Sequence, residues 1–160
     1  MKILAHDAWI SRDSVMLAEC GATLVPLEQL LEQSDIVSVH VPSTKDTQNL
    51  FDAERLARMK RGAMLINTSR GEVVEEAALL AALRDKHLGG AALDVRSTEP
   101  PVAGELEKLP NVILTPHIAA FTVQGQKRVV DSVCRDVAAV LSGAPPKHYV
   151  NFPTPRKPAT

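Results

Sequence analysis

Short apolar runs alternate along this chain with stretches of helical period, and that alternation predicts its elements one after another. Lys2 to Ala5 reads as a strand, followed by a helix around Asp13 to Cys20 that Gly21 ends. Ala22 to Val25 forms a short extended piece and Leu27 to Gln33 a short helix. Ile36 to Val41 is apolar and β-branched, as a buried strand requires, and Pro42 stops it. Asp52 is placed to cap a helix running to Lys60, with Gly62 just past its end. Ala63 to Asn67 is the next strand. A helix from about Val74 to His87 follows, acidic at its start through Glu75 and Glu76 and closed by Gly89. Ala91 to Val95 and Val112 to Thr115 are two more strands. The last helix, about Thr122 to Ser142, sets Val130, Val133, Val137, Val140 and Leu141 along one stripe, which suits packing on the domain or on a partner.

Strands separated by helices in this way cannot pair as hairpins. They imply parallel strands joined by right-handed helical crossovers, an α/β sheet covered on both faces. Gly143 stops the last helix, and the remainder, with Pro145, Pro146, Pro153, Pro155 and Pro158, reads as an extended arm or loose tail. The expected organisation is therefore one domain over residues 1–142 and a proline-rich tail over 143–160. No internal repeat is visible.

Composition narrows the class without naming a chemistry. The 160 residues are 45% hydrophobic and 23% charged, ordinary for a globular domain. A formal net charge of −1 gives no reason to expect nucleic acid or an anionic membrane as partner. No apolar run approaches the roughly 20 residues that span a bilayer, and the acid at Asp7 rules out reading the opening as a secretory signal. Cys20 and Cys134 fit neither a disulfide framework nor a metal-ligand spacing. Two reduced, mostly buried thiols, a cytoplasmic protein and no metal are the expectations.

Open parallel sheets collect ligands at the carboxyl ends of their strands, and the polar residues of interest fall there repeatedly. Asp7 follows the first strand and His40-Val41-Pro42 closes the next long one. Thr68-Ser69-Arg70-Gly71, then Asp94 and Glu99, then His117 follow the others. Arg70 offers a fixed fork of donors that grips a carboxylate with two bonds. His117 carries the side chain whose charge changes most readily near neutral pH, which suits it to giving or taking a proton. A carboxylate at Glu99 beside it would stabilise the imidazolium and orient the ring. Together the three suit reduction of a 2-oxo acid. Asp7 is placed to accept from a ribose diol, and an acid there favours NAD over NADP. Each residue also has a plainer reading: Asp7 as a cap, Arg70 paired with Glu72 or Glu75, Glu99 as a loop acid, His117 as a solvated ring in a turn. His6, His87 and His148 read as structural.

Four ordered motifs add a resemblance. Leu65 to Gly71 (LINTSRG), Gly90 to Val95 (GAALDV), Glu99-Pro100 and Thr115 to Ala120 (TPHIAA) resemble the D-isomer-specific 2-hydroxyacid dehydrogenase family, its phosphoglycerate dehydrogenase branch above all. The likeness runs from about Ile3 to Asn151. It implies that Arg70, Glu99 and His117 are the substrate-binding arginine, the acid that tunes the histidine, and the acid/base. It also implies that Asp7 holds the adenosine ribose and that Val41 and Pro42 wall the adenine. Thr68, Ser69, Asp94, Ala119 and Ala120 would line the nicotinamide end, beside Arg70 and His117. The chain departs from the pattern at Arg96, where the family usually has an aromatic residue, and Pro101 to Glu107 is less regular than usual.

A third departure is larger. The family's dinucleotide domain opens with a strand and a G-x-G-x-x-G loop whose backbone N–H groups hold the pyrophosphate, and none of the eight glycines here forms that fingerprint. The fold expected is thus a partial Rossmann-type doubly wound sheet lacking its central first strand. Its strand edges would meet directly, take a second chain, or associate nonspecifically. Self-association is expected, as the family typically dimerises through this domain. The chain on its own is expected to be incompetent for turnover. The alternative is a non-catalytic dimerisation or nucleotide-binding module derived from such a dehydrogenase.

Overall fold

Six short strands and five helices make up the described residues of the chain, 1–11 and 14–148 of a computed structural model. Strands β1 (Ile3–Ala5) and β2 (Ala22–Leu24) pair in parallel as one sheet, linked through helix α1 (Val15–Cys20). Helix α2 (Leu27–Gln33) leads to β3 (Ile36–Val39), the first strand of a second sheet. Helix α3 (Ala53–Arg58), β4 (Met64–Asn67), helix α4 (Glu76–Arg84), β5 (Gly90–Leu93) and β6 (Val112–Leu114) follow. The second sheet runs β3-β4-β5-β6, parallel throughout. The predicted start of α1 at Asp13 lies outside the described residues, as does the tail beyond 148 with Pro153, Pro155 and Pro158.

Register explains which side of the second sheet is core. Val37, Leu65 and Ala91 form one row across it, Val39, Asn67 and Leu93 another, and all six are buried. They pack with Leu31, Leu56, Leu79, Leu83 and Leu88 from the helices and their connections. Burying each such leucine is worth about 1.5–3 kcal/mol. The alternate residues face the other way, and there Ile36, Met64 and Ile113 remain 51%, 46% and 66% exposed. The expectation of a sheet covered on both faces is therefore corrected: one face is covered. β1 and β3 do not pair among the described residues, so of the outcomes foreseen for the strand edges, direct meeting is not what the fold adopts.

Local chemistry sets the boundaries. Gly21 ends α1 in the left-handed region at φ 62°, as predicted. The Asp52 carboxylate accepts from the Arg55 amide and caps α3, but that helix stops at Arg58 rather than Lys60 because Met59 turns extended. The helix foreseen over Val74 to His87 is shorter. Gly71–Val73 is a 3-10 turn, and Val74 is extended and bridged to Phe51, which delays α4 to Glu76. At its far end Lys86 takes φ 55°, and the His87 and Leu88 amides both return to the Ala82 carbonyl, so the stop comes before Gly89.

The chain divides into two compact units, Met1 to His117 and Ile118 onward. The second is dominated by α5 (Val123–Leu141), capped by the Thr122 hydroxyl on the Gly125 amide. None of its residues is buried, and Val130, Val133, Val137, Val140 and Leu141 are all more than half exposed. After Gly143, the Asp136 carboxylate accepts the Lys147 amide at 2.8 Å and so holds the start of the tail.

Candidate active site

Val39, Asn67, Leu93 and Leu114 are in register across the second sheet. Because the strands are parallel, the residues that follow these four all leave from one edge. That places His40 to Pro42, Thr68 to Arg70, Asp94 to Glu99 and Thr115 to His117 side by side. Asp7 follows β1 at the carboxyl end of the other sheet, and its Oδ1 accepts from the Trp9 and Ile10 amides at 2.7 and 3.2 Å. A carboxylate has about four acceptor positions, so this local turn leaves capacity for a diol.

Asn67, which sequence reasoning gave no role, folds the loop after β4. It is buried, its Oδ1 accepts from both the amide and the hydroxyl of Ser69, and its Nδ2 donates to the Arg70 carbonyl. The signal available was an amide directly before Thr-Ser-Arg-Gly, a loop that needs an internal donor and acceptor at once. Gly71 lets the loop after β5 approach: a Cβ there would stand 2.0 Å from the backbone C and O of Arg96. Arg70 itself is exposed. It makes no ion pair with Glu72 or Glu75 among the described residues, and its Nη1 donates to the Ser69 carbonyl at 2.6 Å.

His117 and Glu99 meet. The Nδ1 of His117 lies 2.8 Å from Glu99 Oε2, with both side chains partly exposed. His117 is held by its backbone in the left-handed region at φ 54°, its amide donating to the Asp94 carbonyl at 2.8 Å. Asp94 is buried and accepts the Thr115 hydroxyl on Oδ1, so it ties the ends of β5 and β6 together beneath the histidine. The bond to His117 holds the Glu99 carboxyl below the usual carboxylate range, with help from the Arg96 amide and the nearby charge of Arg70. The contact with Glu99 is made through Nδ1, which leaves Nε2 as the other ring nitrogen.

An open cleft of about 240 Å³ is lined by His40, Val41, Pro42, Ser69 and Arg70. It is smaller than the roughly 300–1,000 Å³ of common ligand pockets. The His40 Nε2 lies 2.8 Å from the Ser38 hydroxyl. Thr68 is exposed at the edge. Ala119 and Ala120 belong to the second unit, in a turn where the Ala120 carbonyl accepts from Thr122.

The remaining candidates behave differently. Cys20 and Cys134 are free but exposed, correcting the expectation of buried thiols. His6 contacts the Val25 carbonyl, and the His87 Nε2 is buried without a hydrogen-bond partner. Ser132, Asp136 and His148 superficially resemble a catalytic triad. Serine and aspartate approach the same ring nitrogen, Nδ1, so no proton could pass between them through the ring. Among the described residues no group of three His, Cys, Asp or Glu could hold a metal, and no helix is long and apolar enough to cross a membrane.

The sequence profile described as D-isomer specific 2-hydroxyacid dehydrogenase, NAD binding domain, matches residues 1–119. The chain belongs to this family. It is similar to the D-3-phosphoglycerate dehydrogenase of Synechocystis sp., 42% identical over 96% of this chain and 27% of that protein. It is similar also to the glyoxylate reductase of Thermofilum pendens, 49% identical over 78% of this chain and 37% of the relative. Among solved structures, D-lactate dehydrogenase with NAD⁺ from Lactobacillus jensenii superposes with a TM-score of 0.83 at 31% identity, over 94% of this chain and 48% of that one. This dehydrogenase-family chain thus spans between about a quarter and a half of the proteins it matches. Its α/β fold with parallel sheets is that of the family's Rossmann-like domain, and NAD is the domain's cofactor.

Proposed function

We propose that this chain carries the acid/base pair and carboxylate-binding arginine of an NAD-dependent D-2-hydroxyacid dehydrogenase, acting between D-2-hydroxy acids and 2-oxo acids. The observation that carries this reading is the 2.8 Å contact of His117 with Glu99, with Arg70 close enough to act on the same carboxylate. Asp7 would take the adenosine ribose, Val41 and Pro42 the adenine. Thr68, Ser69 and Asp94 would border the nicotinamide end, while Ala119 and Ala120 enter the reading by motif. When bound, the nicotinamide supplies a hydride to the substrate carbon, or accepts one in the reverse direction.

The protein's own part is positioning and proton transfer. Arg70 grips the substrate carboxylate with two parallel bonds and so fixes the adjacent carbonyl. His117, protonated, donates from Nε2 to the carbonyl oxygen as it becomes a hydroxyl, and regains the proton from solvent. Glu99 stabilises the imidazolium and keeps Nε2 pointed outward. Oxidation runs the same transfers backward. Unpaired thiols at Cys20 and Cys134 fit a cytoplasmic setting. The chain alone, with its small cleft and no glycine fingerprint, is proposed to bind NADH weakly and to turn over only when completed by the rest of such an enzyme.

Trp9 tests the cofactor half, since it lies just beyond Asp7 and is almost fully exposed. Titrating NADH into the chain and following energy transfer from this single tryptophan should show no micromolar saturation; tight saturable binding would refute the proposed weakness. Within a complete enzyme, NADH-dependent reduction of glyoxylate or hydroxypyruvate tests the rest. His117→Ala should lower kcat by roughly 10²–10⁴-fold, and Arg70→Ala should act mainly on KM. Unchanged kinetics would remove either residue from its role. The exposed valine row of α5 favours a second reading, an assembly module without turnover, which the same assays separate.

A further inference from the structure

Glu99 sits in the middle of a long loop between β5 and β6, and four exposed residues follow it, Pro100, Pro101, Val102 and Ala103. Nothing in that stretch accounts for a fixed carboxylate. Anchorage comes from Arg96. Its Nε and Nη2 donate to the two oxygens of Glu76 at 3.1 and 3.0 Å, a two-pronged grip on the start of α4. Its Nη1 donates to Glu107 Oε1 at 2.6 Å, and Glu107 Oε2 accepts the Gly104 amide. Glu76 Oε1 also accepts the Ser97 amide at 2.7 Å. One guanidinium, 11% exposed, therefore fastens both ends of the loop at once. The Arg96 amide then donates to Glu99 Oε1 at 3.2 Å, while Oε2 faces His117.

We propose that Arg96 is a positioning residue for the acid/base pair: held by Glu76 and Glu107, it sets the backbone that presents Glu99 to His117. The proposal rests on the dehydrogenase reading for its catalytic meaning, though not for its geometry. Arginine suits the task because its rigid planar fork can grip one carboxylate with two donors and still offer a third to another. The pairs are partly buried and multiply bonded, which separates them from the exposed ion pairs that contribute little. Burial works to raise the Glu76 carboxyl, yet the Arg96 fork and the Ser97 amide outweigh it and hold the group low. Glu107 is brought down to about 2, first by Arg96 and then by the Gly104 amide.

The test needs neither substrate nor cofactor. In this chain with carbon-13-labelled glutamate side chains, the Glu99 carboxyl is titrated by NMR in the native protein and in Arg96→Met, Arg96→Lys and Glu107→Gln. The groups that face Glu99 are His117, the Arg96 amide and the Arg70 charge, and all remain present in every variant. Arg96→Met should raise the Glu99 midpoint toward the ordinary value of about 4.3, with Arg96→Lys recovering only part of the native depression. A folded Arg96→Met protein whose Glu99 midpoint equals the native one overturns the proposal. If that variant does not fold, Glu107→Gln, which removes one of two anchors, should give a smaller rise, and no rise there overturns it equally. The dehydrogenase reading fails separately, through the NADH and turnover assays, whatever Glu99 does.

Discussion

Gly71 has an unremarkable φ and sits in a loop, so sequence intuition ranks its replacement by alanine as mild. The structure ranks it as severe. The added methyl would lie 2.0 Å from the carbonyl carbon and oxygen of Arg96 and 2.4 Å from the Ser97 amide nitrogen. All three are backbone atoms, so no side chain can rotate away, and the loop would have to recede by well over an ångström to restore ordinary contact. Overpacking of this kind costs about 1–3 kcal/mol. Receding would also stretch bonds that Arg96 and Ser97 make to Glu76, and hydrogen bonds to charged groups are worth about 1.5–3 kcal/mol each. A total of about 3 kcal/mol or more is expected, a large part of the roughly 5–15 kcal/mol that holds a domain folded. Gly62 is the control. Its φ of 83° is left-handed, but an added Cβ there meets nothing within 4 Å, so Gly62→Ala should cost only about 1–2 kcal/mol. Urea denaturation of both variants decides the matter: Gly71→Ala must fall further than Gly62→Ala. The reverse order would mean that the two loops are not in close backbone contact, and the account of how Glu99 is placed would fall with it.

The Glu107 carboxyl, held at about 2 against an unfolded value near 4.3, predicts a pH window. Between those values the unfolded chain binds more protons, so its stabilising contribution is fully present above about pH 4.3 and is lost as pH falls through about 2. The stability gap between native protein and Glu107→Gln should therefore narrow on acidification, and a gap independent of pH would contradict the pairing. The exposed row on α5 predicts self-association: light scattering during gel filtration should show a species larger than a monomer, reduced by Val133→Asp together with Val137→Asp. A clean monomer in the native chain would refute it.

Periodicity was a good guide where one force decides. The strand cores and the caps at Gly21 and Asp52 were legible because apolar alternation, left-handed glycine and side-chain capping each act within a few residues. Elements whose ends depend on distant partners were not. Val74 belongs to a helical pattern by composition but pairs with Phe51, on the far side of α3 and β4 in the chain, and no local rule reports that. The uncovered face carrying Ile36, Met64 and Ile113 was invisible for the same reason, since alternation says which residues differ and not what lies opposite them. At the site, the titratable residues announced themselves by type and by position after strands. The groups that aim them did not. Asn67 looked like a strand residue and Arg96 like a gap in a motif, because their work is done through bonds to residues remote in sequence.

That division has a physical basis in how His117 and Glu99 are held. His117 is fixed by main chain, through its amide on the Asp94 and Thr115 carbonyls. It therefore follows from the strands themselves, and any sequence that builds β5 and β6 in register delivers the ring to the edge. Glu99 is fixed by side chains, through Arg96 and the two glutamates that hold it. Its placement can change without disturbing the sheet, since none of those groups belongs to the strand rows of the core. A fold that anchors its histidine by backbone and its glutamate by an ion-pair network can retune one partner of the pair while leaving the other in place. The loop from Arg96 to Glu107, not the sheet, is accordingly where the contact of Glu99 with His117 is adjustable.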